Sequence, residues 1–146
     1  MVQGIDGSAA SRTSAAANQA CPATVAKAFA VDESWWVRSS LAGRADTPPE
    51  TLDALSRDIE SWVRRRVASN PAAPPELVAA LAADEDLHVR GSAASNPSLA
   101  PGCFMALFKD VDPVKRIAAS NPACPEHLLA AAARHEAPEV LWHHSI

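Results

Sequence analysis

The sequence predicts an all-α solenoid, and three observations carry that prediction. A Val-Arg or Val-Lys pair recurs at Val37-Arg38, Val63-Arg64, Val89-Arg90 and Val114-Lys115, at intervals of 26, 26 and 25 residues. Ser-Asn-Pro follows in three copies, Ser69-Asn70-Pro71, Ser95-Asn96-Pro97 and Ser120-Asn121-Pro122. Proline returns further on at Pro22, Pro48, Pro74 and Pro125, with Pro101 one place late. Self-similarity at this period marks a stacked array in which each unit covers its neighbour's apolar face.

Counted from the Val as position 0, the first element is a short helix. Positions 0, 4 and 5 are apolar throughout: Val37/Leu41/Ala42, Val63/Val67/Ala68, Val89/Ala93/Ala94 and Val114/Ala118/Ala119. That spacing marks one helical face. Asn-Pro at positions 7 and 8 ends it, because proline pushes the preceding residue out of the helical region and Asn can satisfy backbone groups locally. Arg44-Ala45 replaces Asn-Pro in the first full repeat, so that turn is expected to be the least regular.

A second helix, expected to run about nine residues, starts at the position-11 proline, where proline costs no hydrogen bond and presets φ. Glu50, Glu76 and Glu126 fall in its first turn, favoured by the positive helix end. Positions 14, 15 and 18 form its stripe, from Val25/Ala26/Phe29 and Thr51/Leu52/Leu55 through Leu77/Val78/Leu81 and Cys103/Phe104/Leu107 to Leu128/Leu129/Ala132. Ala28, Ala54, Ala80, Ala106 and Ala131 share position 17 and are expected to let neighbouring backbones approach. Helices this short are marginal alone, so stacking must stabilise them.

Repeats therefore start near residues 11, 37, 63, 89 and 114, with a partial copy from 140. Residues 11–146 form one repeat domain after a Gly/Ser/Ala-rich segment, 1–10, expected to be flexible. Apolar residues make up 48% of the 146 and aromatics 5%, which suits a thin, closely packed interior. The net charge of −4 gives no general pull toward nucleic acid or anionic membrane. There is no signal-peptide pattern and no run long enough to span a membrane, so a cytoplasmic location is expected. Cys21, Cys103 and Cys124 lack metal-site spacing. Cys21 and Cys124 lie four repeats apart, roughly 40 Å at the usual helix spacing, beyond disulfide reach. They read as small buried hydrophobes.

Two ladders run through the repeats. Asp32, Asp58, Asp84 and Asp110 occupy position 21, with His135 in the fifth copy, and each Asp precedes Arg38, Arg64, Arg90 or Lys115. An acid beside a base could be catalytic or metal-binding. A feature repeated in every unit is instead architecture, a set of charge-assisted hydrogen bonds tying repeats together. The Asn series is read the same way.

The pattern Val-Arg-x-x-Val-Ala-x-Asn-Pro-x-x-Pro-x-x-Leu-x-x-Leu resembles the leucine-rich repeat variant (LRV) family from Ser11 to about Val140, closely at Val63–Asp84. The Asp…Val-Arg spacing is also similar to HEAT repeats, which use such a ladder structurally. The resemblance implies a right-handed solenoid pairing a short 3₁₀ or α-helix with a longer α-helix, a binding scaffold with no assigned general activity. Some members carry an iron–sulfur module on clustered cysteines. This chain has no such cluster, so no cofactor is carried over. Nor does any motif justify the chemistry of HEAT-like DNA glycosylases.

Residues that break the repeat are the better site candidates. Trp36, Trp62 and His88 hold one position in consecutive repeats, Trp35 adds a ring beside Trp36, and Arg64, Arg65 and Arg66 are contiguous. Together they suit a peptide groove or a stacked base, while the alternative is that the indoles cap the apolar edge of an Ala-rich stack. His135, His143 and His144 read as surface residues rather than metal ligands, and Leu141-Trp142 as a seal on the last repeat or a docking end. Asp53 and Glu60 are the off-ladder acids an enzyme reading would need. No nucleophile, phosphate-loop or zinc signature occurs. The sequence thus favours a non-catalytic protein-interaction scaffold with an unidentified protein partner. Nucleic-acid binding through the basic, aromatic strip is the alternative, and the oligomeric state is unspecified.

Overall fold

A computed structural model of the chain describes residues 12, 27–131 and 133. The N-terminal segment 1–10, Cys21, His135, Leu141-Trp142, His143-His144 and the partial repeat from 140 lie outside the described residues. Within them the structure is helical with no strand. The first helices of successive repeats are α1 (Trp35–Ala42), α3 (Ser61–Ala68), α5 (Leu87–Ala94) and α7 (Asp112–Ser120). Between them lie α2 (Pro49–Leu55), α4 (Pro75–Leu81) and a 3₁₀ turn, Pro101–Cys103, leading into α6 (Phe104–Leu107). A further helical segment covers 126–131.

The helix lengths differ from expectation. The first helix is the longer, eight or nine residues, and the second has seven in α2 and α4. The first helix starts two residues before its Val, after an extended Ser34, Glu60 or Asp86. The second is confined between proline at its start, Pro49 or Pro75, and the turn that presents the ladder acid. The 3₁₀ start in the third copy coincides with the displaced Pro101.

Positions 0 and 4 are buried in every described repeat, and position 5 in all but the last, where Ala119 is exposed. Leu52, Leu55, Val78, Leu81, Phe104 and Leu107 fill the other side of a single core. Ala28, Ala54, Ala80 and Ala106 do not mediate the close packing: all four face solvent. Close approach comes from Ala42, Ala68 and Ala94 on the first helices, which lie fully buried. These helices pack side by side, α1 on α3, α3 on α5 and α5 on α7, far more closely than the second helices do. The array therefore curves with the first helices on its inner face. Cys124 is buried and Cys103 half-buried against the core, and burial pushes both thiols up.

Both ladders tie neighbouring repeats. Arg12, Arg38, Arg64 and Arg90 each hold the Asp twenty residues later, through Nε at 2.7–2.9 Å. In the three central repeats Nη1 also donates to the carbonyl of the Asp six residues earlier. Each guanidinium thus bridges two successive ladder acids. The carboxylates of Asp32, Asp58 and Asp84 also accept the N–H two residues on, an Asx turn that aims the chain into the next helix. Lys115 pairs with Asp112 on its own helix at 3.5 Å.

Asn70, Asn96 and Asn121 are buried, and each Nδ2 donates to two carbonyls of the preceding turn. Each Oδ1 accepts the N–H two residues on. Arg44 fills the Asn place by gripping Asp46 at 2.7–2.8 Å. Its turn closes with a 3.5 Å Thr47–Arg44 backbone bond, against 2.9–3.1 Å in the other three, so it is the least regular.

One pH effect follows. The Arg90 guanidinium, with a backbone hydrogen bond from Val111, holds the Asp110 carboxyl below its usual range. A carboxyl lowered by folding stabilises above its unfolded pKa, about 3.9, and that contribution disappears as pH falls through the folded value. Asp110→Asn is expected to lower the melting temperature at pH 7, with the gap to wild type closing below about pH 4. A gap that stays constant across that titration would mean the carboxylate charge contributes nothing.

Candidate functional site

The first helices turn positions 2, 3 and 6 away from the core, because positions 0, 4 and 5 are committed to it. What those outward positions carry makes the inner face. On α1 they are Ser39, Ser40 and the following Gly43; on α3, Arg65, Arg66 and the following Ser69; on α5, Gly91, buried beside Ile117, then Ser92 and the following Ser95; on α7, Arg116, Ile117 and Ser120.

One hollow lies between α1 and α3, encloses about 490 Å³ and extends to Ser92 of α5. Trp35 stacks on Trp36 at 4.1 Å between centroids and faces Trp62 at 6.3 Å, with the rings about 20° apart. The Arg65 guanidinium carbon lies 4.4 Å from the Trp62 ring centre, a cation–π geometry. The Arg66 guanidinium lies so close over Gly43 that a Cβ there would collide with it, so a side chain at position 43 would push Arg66 aside. Both arginines occupy the last turn of α3, where the negative helix end favours cations.

The expected site residues separate into three places. Trp36 and Trp62 are 59% and 52% exposed, and it is Trp35 that packs against the core. Arg65 and Arg66 join the indoles. Arg64, expected in both the partner-binding and ladder sets, belongs to the ladder: it is only 9% exposed and bound to Asp84 and the Asp58 carbonyl. One residue along a helix is a turn of 100°, which sends Arg64 to a different side from its neighbours. His88 is exposed in a second hollow of about 370 Å³, with Leu87, Ser95, Pro113 and Ile117; Arg65 and Ser92 line both hollows. A third, of about 250 Å³, continues past Ile117 to Arg116 and Ser120. The serines, Arg116 and Ile117 were not singled out from sequence, although their shared helical positions were a readable signal.

The enzyme-type acids do not line these hollows. Asp53 on α2 pairs with Arg57 just past its end, and Glu60 forms the turn before α3. Among the described residues, no group of His, Cys, Asp and Glu is disposed to hold a metal ion. No helix there is long and apolar enough to cross a membrane.

Comparison with known proteins bears on the fold. Residues 35–59 and 62–86 each match the family model "Leucine rich repeat variant". A solved structure described as a leucine-rich repeat variant with a novel repetitive protein structural motif superposes with a TM-score of 0.61, at 30% identity over 82% of this chain. The two matched segments are leucine-rich repeat variants. The chain spans about half, 48%, of that solved protein. No curated protein sequence matches it significantly. The hydrogen-bond scheme of the matched segments also runs beyond them: Arg90 binds Asp110, and Asn121 binds the Asn96 carbonyl, as in the repeats before.

Proposed function

We propose that this helical-repeat scaffold acts without catalysis, binding a protein partner along its inner face with Trp36 and Trp62 as the anchors. The observation that supports this reading is the open Trp35–Trp36–Trp62 stack with Arg65 over its end. Large indoles left half in solvent beside a cation are the residue types that dominate binding hot spots. They are not needed to close the core, which Trp35 already covers.

Trp36→Ala/Trp62→Ala is expected to leave the melting temperature within a few degrees of wild type, since surface changes usually cost less than about 0.5 kcal/mol each. The same variant is expected to lose affinity for a groove ligand by about 2 kcal/mol or more, roughly thirtyfold. Fluorescence titration with peptides selected on wild-type protein measures both outcomes alongside a thermal melt. A large drop in melting temperature would make the stack packing; unchanged affinity would place binding elsewhere.

A further inference from the structure

The arginines of this chain divide sharply. Among the described residues, Arg12, Arg38, Arg44, Arg57, Arg64 and Arg90 each hold a carboxylate. Arg65, Arg66 and Arg116 form no ion pair there, and all three line the inner-face hollows. None of the residues lining those hollows is acidic, although the whole chain carries a net charge of −4. The acids of the described residues lie elsewhere: in the ladder, on the second helices, in the turns, and at Asp112 in the first turn of α7 beside Lys115. The inner face is therefore a local cationic strip on an acidic protein, with an aromatic hollow at one end and guanidiniums that form no ion pair among the described residues.

We infer that the strip binds an extended acidic peptide segment, its apolar or aromatic side chain seated on the Trp35–Trp36–Trp62 stack and its carboxylates facing Arg65, Arg66 and Arg116. This rests on reading the indole hollow as a protein-binding groove and adds the chemistry of what enters it. Guanidiniums take carboxylates in paired hydrogen bonds, and the hydroxyls of Ser92, Ser95 and Ser120 can serve a peptide backbone. Geometry favours an extended chain. Packed helices lie about 8–10 Å apart, and a polyproline-type peptide rising about 3.1 Å per residue returns to the same side every three residues, about 9.3 Å on. Its side chains at every third place would step from helix to helix. Arg116 lies two helices beyond Arg65, so a second acid belongs about six residues from the first. A nucleic acid fits the charge less well, because three guanidiniums along such a strip neutralise few phosphates, and salt-sensitive affinity scales with that number.

The test is a phage library of random peptides about twelve residues long, enough to span the strip, selected on the full chain. Recovered peptides are then titrated by fluorescence anisotropy against wild type, Trp36→Ala/Trp62→Ala, Arg65→Gln/Arg66→Gln and Arg116→Gln. Circular dichroism melts check that each variant is folded. The expected result is enrichment of Asp and Glu beside an apolar anchor, with affinity falling about tenfold or more in the double arginine variant and several-fold in Arg116→Gln. Peptides that need the Trp residues but carry no acidic excess and ignore the arginines would overturn this inference and leave the groove reading standing. No selectable peptide, or peptides indifferent to Trp36 and Trp62, would overturn both. Tighter binding of an oligothymidine of matched length, lost in the same arginine variants, would overturn it in favour of nucleic acid.

Discussion

Replacing Asp84 with Ala is expected to lower the melting temperature by about 10 °C, from a loss of about 3 kcal/mol in a chain of this size. The Asp84 carboxylate accepts from Arg64 Nε at 2.9 Å and Nη2 at 3.3 Å, and from the Asp86 N–H at 2.9 Å. The two side chains are each about 11% exposed. Truncation removes the turn's acceptor and leaves a guanidinium in the interface between repeats with half its partners gone. Removing one member of a buried pair is costly for that reason, whereas replacing both by apolar groups often costs little. Arg64→Met/Asp84→Leu should therefore be more stable than Asp84→Ala. Urea and thermal melts of wild type and both variants decide it; an unchanged melt for Asp84→Ala would show that this rung contributes nothing.

That rung also shows where sequence reading stops. Spacing placed each Arg six residues after an Asp and identified a ladder, and the structure contains one. Along the chain the Arg reaches only the carbonyl of that Asp; its carboxylate partner lies twenty residues ahead, in the next turn of the solenoid. Which Asp is held is a property of stacking, and no single repeat encodes it. Val37, Val63, Val89 and Val114 were legible as core because helical periodicity reports burial directly. The position-17 alanines misled, since Ala suits a close interface and an exposed helix surface equally well, and only packing distinguishes them. The Arg64–Arg66 triplet read as one basic patch because sequence order hides rotation about the helix axis. The stacked indoles were legible as exceptions to the repeat, but not the strip that continues them to Arg116, because serines at recurring positions look like ordinary surface.

Of the two ladders the asparagine one is the more deeply buried, with Asn70, Asn96 and Asn121 each under 5% exposed. Asn96→Ala is expected to cost about 2–4 kcal/mol, because it strands several buried groups at once. Asn96 is 1% exposed. Its Nδ2 donates to the Ala68 and Asn70 carbonyls at 2.7 and 3.0 Å, and its Oδ1 accepts the Ser98 N–H at 2.8 Å. Asn96→Asp separates hydrogen bonding from shape. It keeps the acceptor for Ser98 but turns a carboxylate oxygen toward two carbonyl oxygens. In the folded state that carboxyl should have a raised pKa, since burial and the facing carbonyls both oppose its charge. The unfolded chain ionises near pH 3.9, so the charge penalty is absent below that value and grows as pH rises toward the folded one. At pH 7 Asn96→Asp should be less stable than Asn96→Ala; near pH 4 the order should narrow or reverse, because a protonated carboxyl restores one donor. Chemical denaturation of wild type and the two variants at both pH values measures this. A penalty for Asn96→Asp that does not change with pH would mean that the amide donor is not what joins one turn to the next.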